Sequence, residues 1–337
     1  VTDPFISAAC RGFAALHPPD RVLLAVSGGA DSVAMLDALW SGRARRDLRA
    51  TTFVVGHYDH ALRSDSHRDR ELAGELAAER GLAFVHARAT GRMRNTGGLE
   101  EASREARYGA LEALALANDC RAIVTAHTAT DQAETLLWRL VRGAGARGLG
   151  AMRPSRKLGS LLLLRPLLGV TRSQTRGYCA RRSLTFLDDP TNLDGRPRAR
   201  LREEVLPVLE RLAPGAVMRL AAAADRLRAD DDLLEARASA EAPNDDAARI
   251  AGLPAPLRRR ALAAWAARLL GTRRRLTATH MAALEALVGT GRGAVELPGL
   301  REVRRVAVVE KGRLSLREEQ PRTRRSGEEN GVVDVQS

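Results

Sequence analysis

The stretch RVLLAVSGGADSVAMLDAL, residues 21–39, decides the fold. Its apolar run 22–26 has the pattern of a strand buried on both faces, and from Val33 onward apolar residues recur at helical spacing. Between them stand Ser27, Gly28, Gly29, Ala30, Asp31 and Ser32. Adjacent glycines let the backbone turn tightly, and the amides that open the following helix point outward unpaired, so the junction is a cradle for an anion. The loop has no lysine and so differs from the GxxxxGK[ST] loop that grips outer phosphates. Asp31 would repel a phosphate unless a divalent cation bridged the two, and Ser27 and Ser32 each offer a hydroxyl. A plain strand-to-helix turn with a capping serine or aspartate would share much of this pattern.

Working outward, a chain of 337 residues has room for two domains with real cores. Its formal net charge is +13, and only Lys157 and Lys311 are lysines, so the excess is carried by arginine. Arginine matches phosphate with a planar fork, which favours a polyanionic partner, although an arginine-rich genome would give the same composition. The charge is also localised: residues 165–202 hold nine arginines against three acids, and residues 301–325 hold nine basic residues against four acids. Two such stretches point to a nucleic-acid surface. Cys10, Cys120 and Cys179 are scattered and odd in number, which argues against a disulfide framework or a zinc site and suits a reducing cytoplasm. No signal-like stretch and no apolar run near twenty residues is present, so a soluble cytoplasmic protein without membrane contact is expected.

Further strands are expected at 51–56, 82–87, 122–126 and 161–164, separated by helices at 66–80, 99–117, 130–140 and 170–182. This alternation predicts an α/β fold, a mostly parallel sheet with helices on both faces. The second strand runs into the polar cluster His57-Tyr58-Asp59-His60, at the end of the sheet where ligands bind; Asp59 and Arg63 are candidates to face a nucleotide. Glu100, Arg104, Arg107 and Tyr108 share a helix face. The fourth strand delivers His127, followed by Asp131 and Glu134 in a first helical turn, where acids are also favourable as simple caps. If the two junctions converge on one crevice, Asp131 and Glu134 supply oxygens for magnesium, with Asp31, and His127 a group for proton transfer. Arg139 and Arg142 lead into a glycine-rich segment expected to stay loop-like through residue 159, a lid or RNA-contacting loop. Arg165, which ends a strand, is a candidate nucleic-acid contact together with Arg139 and Arg142, and Arg196, Arg198, Arg200 and Arg202 alternate as a series able to straddle a phosphate backbone.

Beyond residue 212, helices at 214–237, 257–270 and 277–288 lead to hairpins around Pro298-Gly299 and Lys311-Gly312. The expected division is a catalytic domain at 1–212, a small, mainly helical domain with terminal hairpins at 213–317, and a polar, disordered tail at 318–337.

Taken together, SGGADS at 27–32, YDHALRSDS at 58–66, Glu100 with REARY at 104–108, TAHTATDQAET at 125–135, RLVRGAG at 139–145, RPLL at 165–168 and DDPTNLD at 188–194 resemble the tRNA(Ile)-lysidine synthetase family of pyrophosphate-loop enzymes. The blocks follow that family's order across most of residues 20–210. The resemblance implies an adenine nucleotide alpha hydrolase-like fold, ATP and Mg2+ as cofactors, and a CAU-anticodon isoleucine tRNA and free L-lysine as substrates. ATP would adenylate C2 of the wobble cytidine, and the lysine side-chain amine would displace AMP. Ser27 to Ser32, with Asp59 and Arg63, would hold ATP. Asp31 and Asp131 would place the metal, with Asp131 and Glu134 near the amine and His127 near the reacting phosphate. Arg104, Arg107 and Tyr108 would support the RNA or lysine side, and the second domain would help grip tRNA. A homodimer is compatible with it, and the chain stops before the further domain of longer relatives. Thr128 and Thr130 depart from the family, which often has a histidine and an acid there. A sulfur-transferring relative would need cysteines within the motifs, and a non-catalytic RNA-binding protein would leave the two junctions unexplained.

Overall fold

The computed structural model describes residues 3–44, 48, 50–61, 66–89, 99–187, 197–241, 245–270, 276–300 and 303–319. Arg63, Arg196, the Glu100 side chain, the 188–194 motif and residues 320–337 of the expected tail lie outside them.

Helix α1 (Pro4–Ala14) precedes β1 (Arg21–Ala25), α2 (Ala30–Gly42), β2 (Thr52–Asp59), α3 (His67–Glu79), β3 (Ala83–Arg88), α4 (Leu99–Ala117), β4 (Ala122–Val124) and α5 (Ala129–Val141). The short α6 (Ala146–Leu149) leads to β5 (Ser155–Leu158), β6 (Leu161–Leu164) and α7 (Arg172–Arg181). The six strands form one sheet in the order β3-β2-β1-β4-β6-β5, parallel throughout except for β5, which pairs antiparallel with β6. Leaving β1 the chain next builds outward on one side, and leaving β4 on the other, so the order reverses between these two strands. That reversal opens a crevice beyond their carboxyl ends.

Strand alternation sorts the core into two layers. Val22, Leu24, Phe53, Val55 and Val124 face α1, α2, α3 and α7, while Leu23, Val54, Ile123 and Leu163 face α4. Side chains buried on both faces explain why β1 and β4 read as continuous apolar runs. At Gly56, a Cβ would stand 2.5 Å from Leu23 Cδ2, so only glycine lets β1 and β2 pack here.

The segment expected to be a loop through residue 159 contains α6 and β5, with Gly159 (φ +54°) turning the chain into β6. The correction has a physical reason. SRKL is short and half-solvated, and its strand character comes from pairing with the apolar LLLL beside it.

Helix α8 (Pro197–Arg200), a π-helical turn (Leu201–Val205) and α9 (Leu206–Leu212) lead to the long α10 (Ala216–Glu241). Then follow α11 (Ala247–Gly252), α12 (Ala255–Leu270), α13 (Ala278–Thr290) and an antiparallel sheet of β7 (Gly293–Leu300), β8 (Val303–Glu310) and β9 (Arg313–Glu319). The chain divides into two compact units at 229/230, inside α10, whereas the expected division falls at 212/213. The start of α10 belongs with the first unit because Val217 and Ala221 bury against Ala129, Ala133 and Leu206. In the second unit, Leu262, Trp265 and Ala266 of α12 form a core with Leu284 and Leu287 of α13 and with Ala307 of β8. Lys311 and Gly312, both at positive φ, make the tight turn between β8 and β9. Pro298-Gly299 falls inside β7, where the register shifts between Leu297 and Leu300. No helix among the described residues is long and apolar enough to cross a membrane.

Candidate active site

A cavity of about 680 Å³ opens at the β1/β4 switch point. Ser27, Gly29, Ala30, Asp31 and Ser32 line one wall, His127 and Asp131 another, with Asp59, Arg107 and Arg202 completing the set already expected from sequence.

The first wall is built for an anion. Helix α2 starts at Gly29, which has no side chain to cap it, so the amides of its first turn face the crevice without a side-chain acceptor. Gly28 sits at φ +86°, and its carbonyl accepts the Leu187 amide at 3.0 Å. Ser32 staples the loop: its Oγ accepts from Ser27 N at 3.1 Å and donates to Gly29 O at 2.8 Å. Its proton is thus used inside the loop, and the Ser27 hydroxyl, 3.2 Å from Ser32 Oγ, donates to it while lining the cavity.

Asp31 accepts a short hydrogen bond from Thr175 Oγ1, and Arg172 Nη1 lies 3.9 Å from its other oxygen. Burial nonetheless pushes its pKa up, and the nearby Asp131 charge adds to the rise against Thr175 and Arg172. Asp31 and Asp131 both line the cavity, and each keeps an oxygen turned away from its closest partner. Asp131 Oδ2 accepts from Thr128 N at 2.7 Å and Thr128 Oγ1 at 2.8 Å, a capping box for α5. Burial works to raise its pKa, but its neighbours, the two Thr128 hydrogen bonds and the Arg202 charge among them, outweigh it and hold Asp131 below the usual carboxylate range. His127, with Nδ1 2.9 Å from Thr125 Oγ1, is held neutral by burial and by Arg165, Arg107 and Arg104, against the pull of Asp131.

Several expected residues play other parts. Glu134 is 2 % exposed, does not line the cavity, and accepts a two-pronged ion pair from Arg202 at 2.5 and 2.9 Å. It therefore holds an arginine that does line the cavity instead of meeting a ligand itself. Asp59 accepts from Ala61 N at 2.7 Å and from Arg88 Nε at 3.2 Å, so its carboxylate shapes the end of β2. Arg104, Arg107 and Arg156 place their guanidinium groups 5.2–5.4 Å from the buried Tyr108 ring, and of these only Arg107 reaches the cavity. Burial alone would raise the Tyr108 pKa, but Arg104, Arg107 and Arg165 bring it below its ordinary value. Arg165, expected as an RNA contact, is 3 % exposed and donates to Arg153 O; burial removes it from any surface. Arg139 is likewise engaged, with Gly148 O and Ala151 O. Arg142 lies over Trp138, Arg198 is half-buried, and Arg200 pairs with Glu204 at 3.0 Å on the surface.

Tyr58, His60, Ser66, Asp69, Arg172 and Arg176 also line the cavity. Tyr58 and His60 belong to the polar cluster at the carboxyl end of β2, Tyr58 within the strand and His60 just past it. The arginines carry no signal beyond a helix repeat, since α7 reaches the cavity only by tertiary packing. Cys10, Cys120 and Cys179 are buried thiols outside any disulfide, and none lines the cavity. Burial pushes Cys179 up to about 11, which makes it a poor nucleophile.

The PP-loop domain family matches residues 6–209. The tRNA(Ile)-lysidine synthase of Salinispora arenicola is 41 % identical over 324 residues, 92 % of this chain and 94 % of that protein. The one from Salinispora tropica is 40 % identical over 312 residues, 88 % and 93 % of the two chains. Among solved structures, the U34-tRNA thiolase of Methanococcus maripaludis superposes with a TM-score of 0.56 at 14 % identity, covering 67 % of this chain and 79 % of that one, a likeness of fold alone. With an uncapped loop facing a buried histidine and aspartate across the switch point, and with identity running along nearly the whole chain, this protein belongs to the PP-loop family and, within it, to the tRNA(Ile)-lysidine synthases.

Proposed function

We propose that the chain joins L-lysine to C2 of the wobble cytidine in a CAU-anticodon isoleucine tRNA, using ATP and passing through an adenylated tRNA. The observation that supports this reading best is the convergence of loop 27–32 with His127 and Asp131 in one cavity of a family member. The chemistry needs two things of such a cavity. A cytosine carbonyl oxygen is a poor leaving group until adenylated, and the lysine ammonium must lose a proton before it attacks.

In this reading the α2 amides and Ser27 bind the outer phosphates, while Ser32 keeps the loop in shape. Asp31 and Asp131 would hold Mg2+, which would neutralise phosphate charge when bound. Asp131 and the neutral His127 would take the proton that leaves the incoming amine. Arg107 and Arg202 supply positive charge at the rim, and Glu134 fixes Arg202 in place. Arg200, Arg198 and Arg142 would contact tRNA by exchanging their present partners for phosphate. The reaction belongs in the cytoplasm, where tRNA and ATP are available, and light scattering would show whether the enzyme works as a homodimer.

The test is incorporation of labelled lysine into a transcript of isoleucine tRNA with a CAU anticodon, beside a methionine tRNA control. Label confined to the isoleucine transcript is the expected result. Release of pyrophosphate without label would point to a different nucleophile.

A further inference from the structure

The loop 27–32 has no lysine, yet the leaving pyrophosphate needs cationic partners. Helix α7 brings two arginines one turn apart to the same cavity, Arg172 and Arg176. Both are anchored next to the loop. The Arg172 backbone N–H donates to Thr130 Oγ1 at 3.1 Å, and its guanidinium reaches toward Asp31 at a loose 3.9 Å. The Arg176 guanidinium lies 5.4 Å from the Phe186 ring, and the next residue, Leu187, donates its amide to Gly28 O. The stacked arginine is thus tied to the backbone that carries the glycine pair.

We propose that Arg172 and Arg176 form a clamp for the β- and γ-phosphates of ATP, doing from α7 what a lysine does from within other phosphate loops. The assignment rests on the adenylation reading above. In that step cytosine O2 forms a bond to the α-phosphorus while the bond from that phosphorus to the bridging α,β-oxygen breaks. The electron pair stays on the bridging oxygen, and pyrophosphate departs carrying the new negative charge. Guanidinium groups aimed at the outer phosphates stabilise that charge as it develops. A contact of 3.9 Å to Asp31 is long for an ion pair, so Arg172 can turn to a phosphate at small cost.

The experiment titrates the full chain, with Mg2+, against inorganic pyrophosphate and separately against AMP, by calorimetry. Arg172→Ala and Arg176→Ala should each weaken pyrophosphate binding about 10- to 100-fold, the scale of a hydrogen bond to a charged group, with AMP affinity unchanged. Arg172→Lys should recover part of the loss, and Arg181→Ala, on the same helix but paired with Asp3, should lose none. Unchanged pyrophosphate affinity in both alanine variants, equal loss of AMP and pyrophosphate, or a wild type that binds no pyrophosphate would overturn the clamp. A wild type that binds pyrophosphate through these arginines but forms no lysidine would overturn the functional reading and leave the clamp standing.

Discussion

The two junctions at the switch point solve the same structural problem in opposite ways. Helix α2 begins at a glycine with no side-chain cap, and α5 begins with Thr128 and Asp131 capping each other. The first junction gives its leading amides no side-chain acceptor; the second caps itself and keeps its aspartate ionised. The two aspartates accordingly shift in opposite directions, Asp31 up through burial and Asp131 down through its partners despite burial. A binding junction is thus recognisable by what it leaves unpaired, and a supporting one by what it pairs.

Removing the charge of the open junction should have the largest effect: Asp31→Ala should slow lysine ligation about 10²- to 10³-fold in a single-turnover assay, the range for losing one preorganised electrostatic group. On the supporting side, Arg202→Ala leaves Glu134 buried and unpaired. Denaturant unfolding should show a loss of about 3 kcal/mol, the low end for a broken buried pair because the Arg202 side chain keeps 22 % exposure.

Making the junctions alike tests the contrast directly. Gly29→Asp, at φ −75° with no close Cβ contact, would cap α2 as Asp131 caps α5. Stability should hold while ATP binding, by calorimetry, falls about 10- to 100-fold. The converse, Thr128→Ala, should cost about 1 kcal/mol in thermal unfolding. Proton linkage gives the finest test. The folded chain holds the Asp31 proton more tightly than the unfolded one, so its contribution turns unfavourable as pH rises from 3.8 through the raised value. Asp31→Asn should therefore stabilise the ligand-free protein at neutral pH. Asp131 contributes fully above 3.8 and loses that contribution as pH falls toward its lowered value, so Asp131→Asn should destabilise at neutral pH and match the wild type in acid. Unfolding curves from pH 3 to pH 7, on the order of the span set by ordinary carboxylate titration, would separate the two signs.

Much of the crevice was legible in the chain because its parts are local. An apolar run followed by SGGADS specifies a strand, a turn and a helix start within a dozen residues, and β6 lies at 161–164, where its four leucines put it. Partnerships made across the fold left no local mark. β2 continues past Gly56 to Asp59 because residues 57–59 pair with β3. β5 exists through β6, Glu134 faces Arg202 because the π-helical turn packs beside α5, and Arg172 and Arg176 enter the cavity because α7 packs on α2. Sequence reading therefore expected loop 27–32, Asp31 and Asp131 in one crevice, where they lie, and expected ligand contacts of Glu134 and Arg165, which are buried.

The reversed direction of β5 has a consequence for the protein in a crowded solution. A parallel sheet ending at β6 would offer the bare edge of four leucines to any passing strand. The chain folds SRKL back over that edge instead, so the outermost strand is short and basic, and like charges repel a second copy that tries to extend the sheet. An enzyme that must attract a polyanion thus uses the same kind of charge to guard this edge of its sheet.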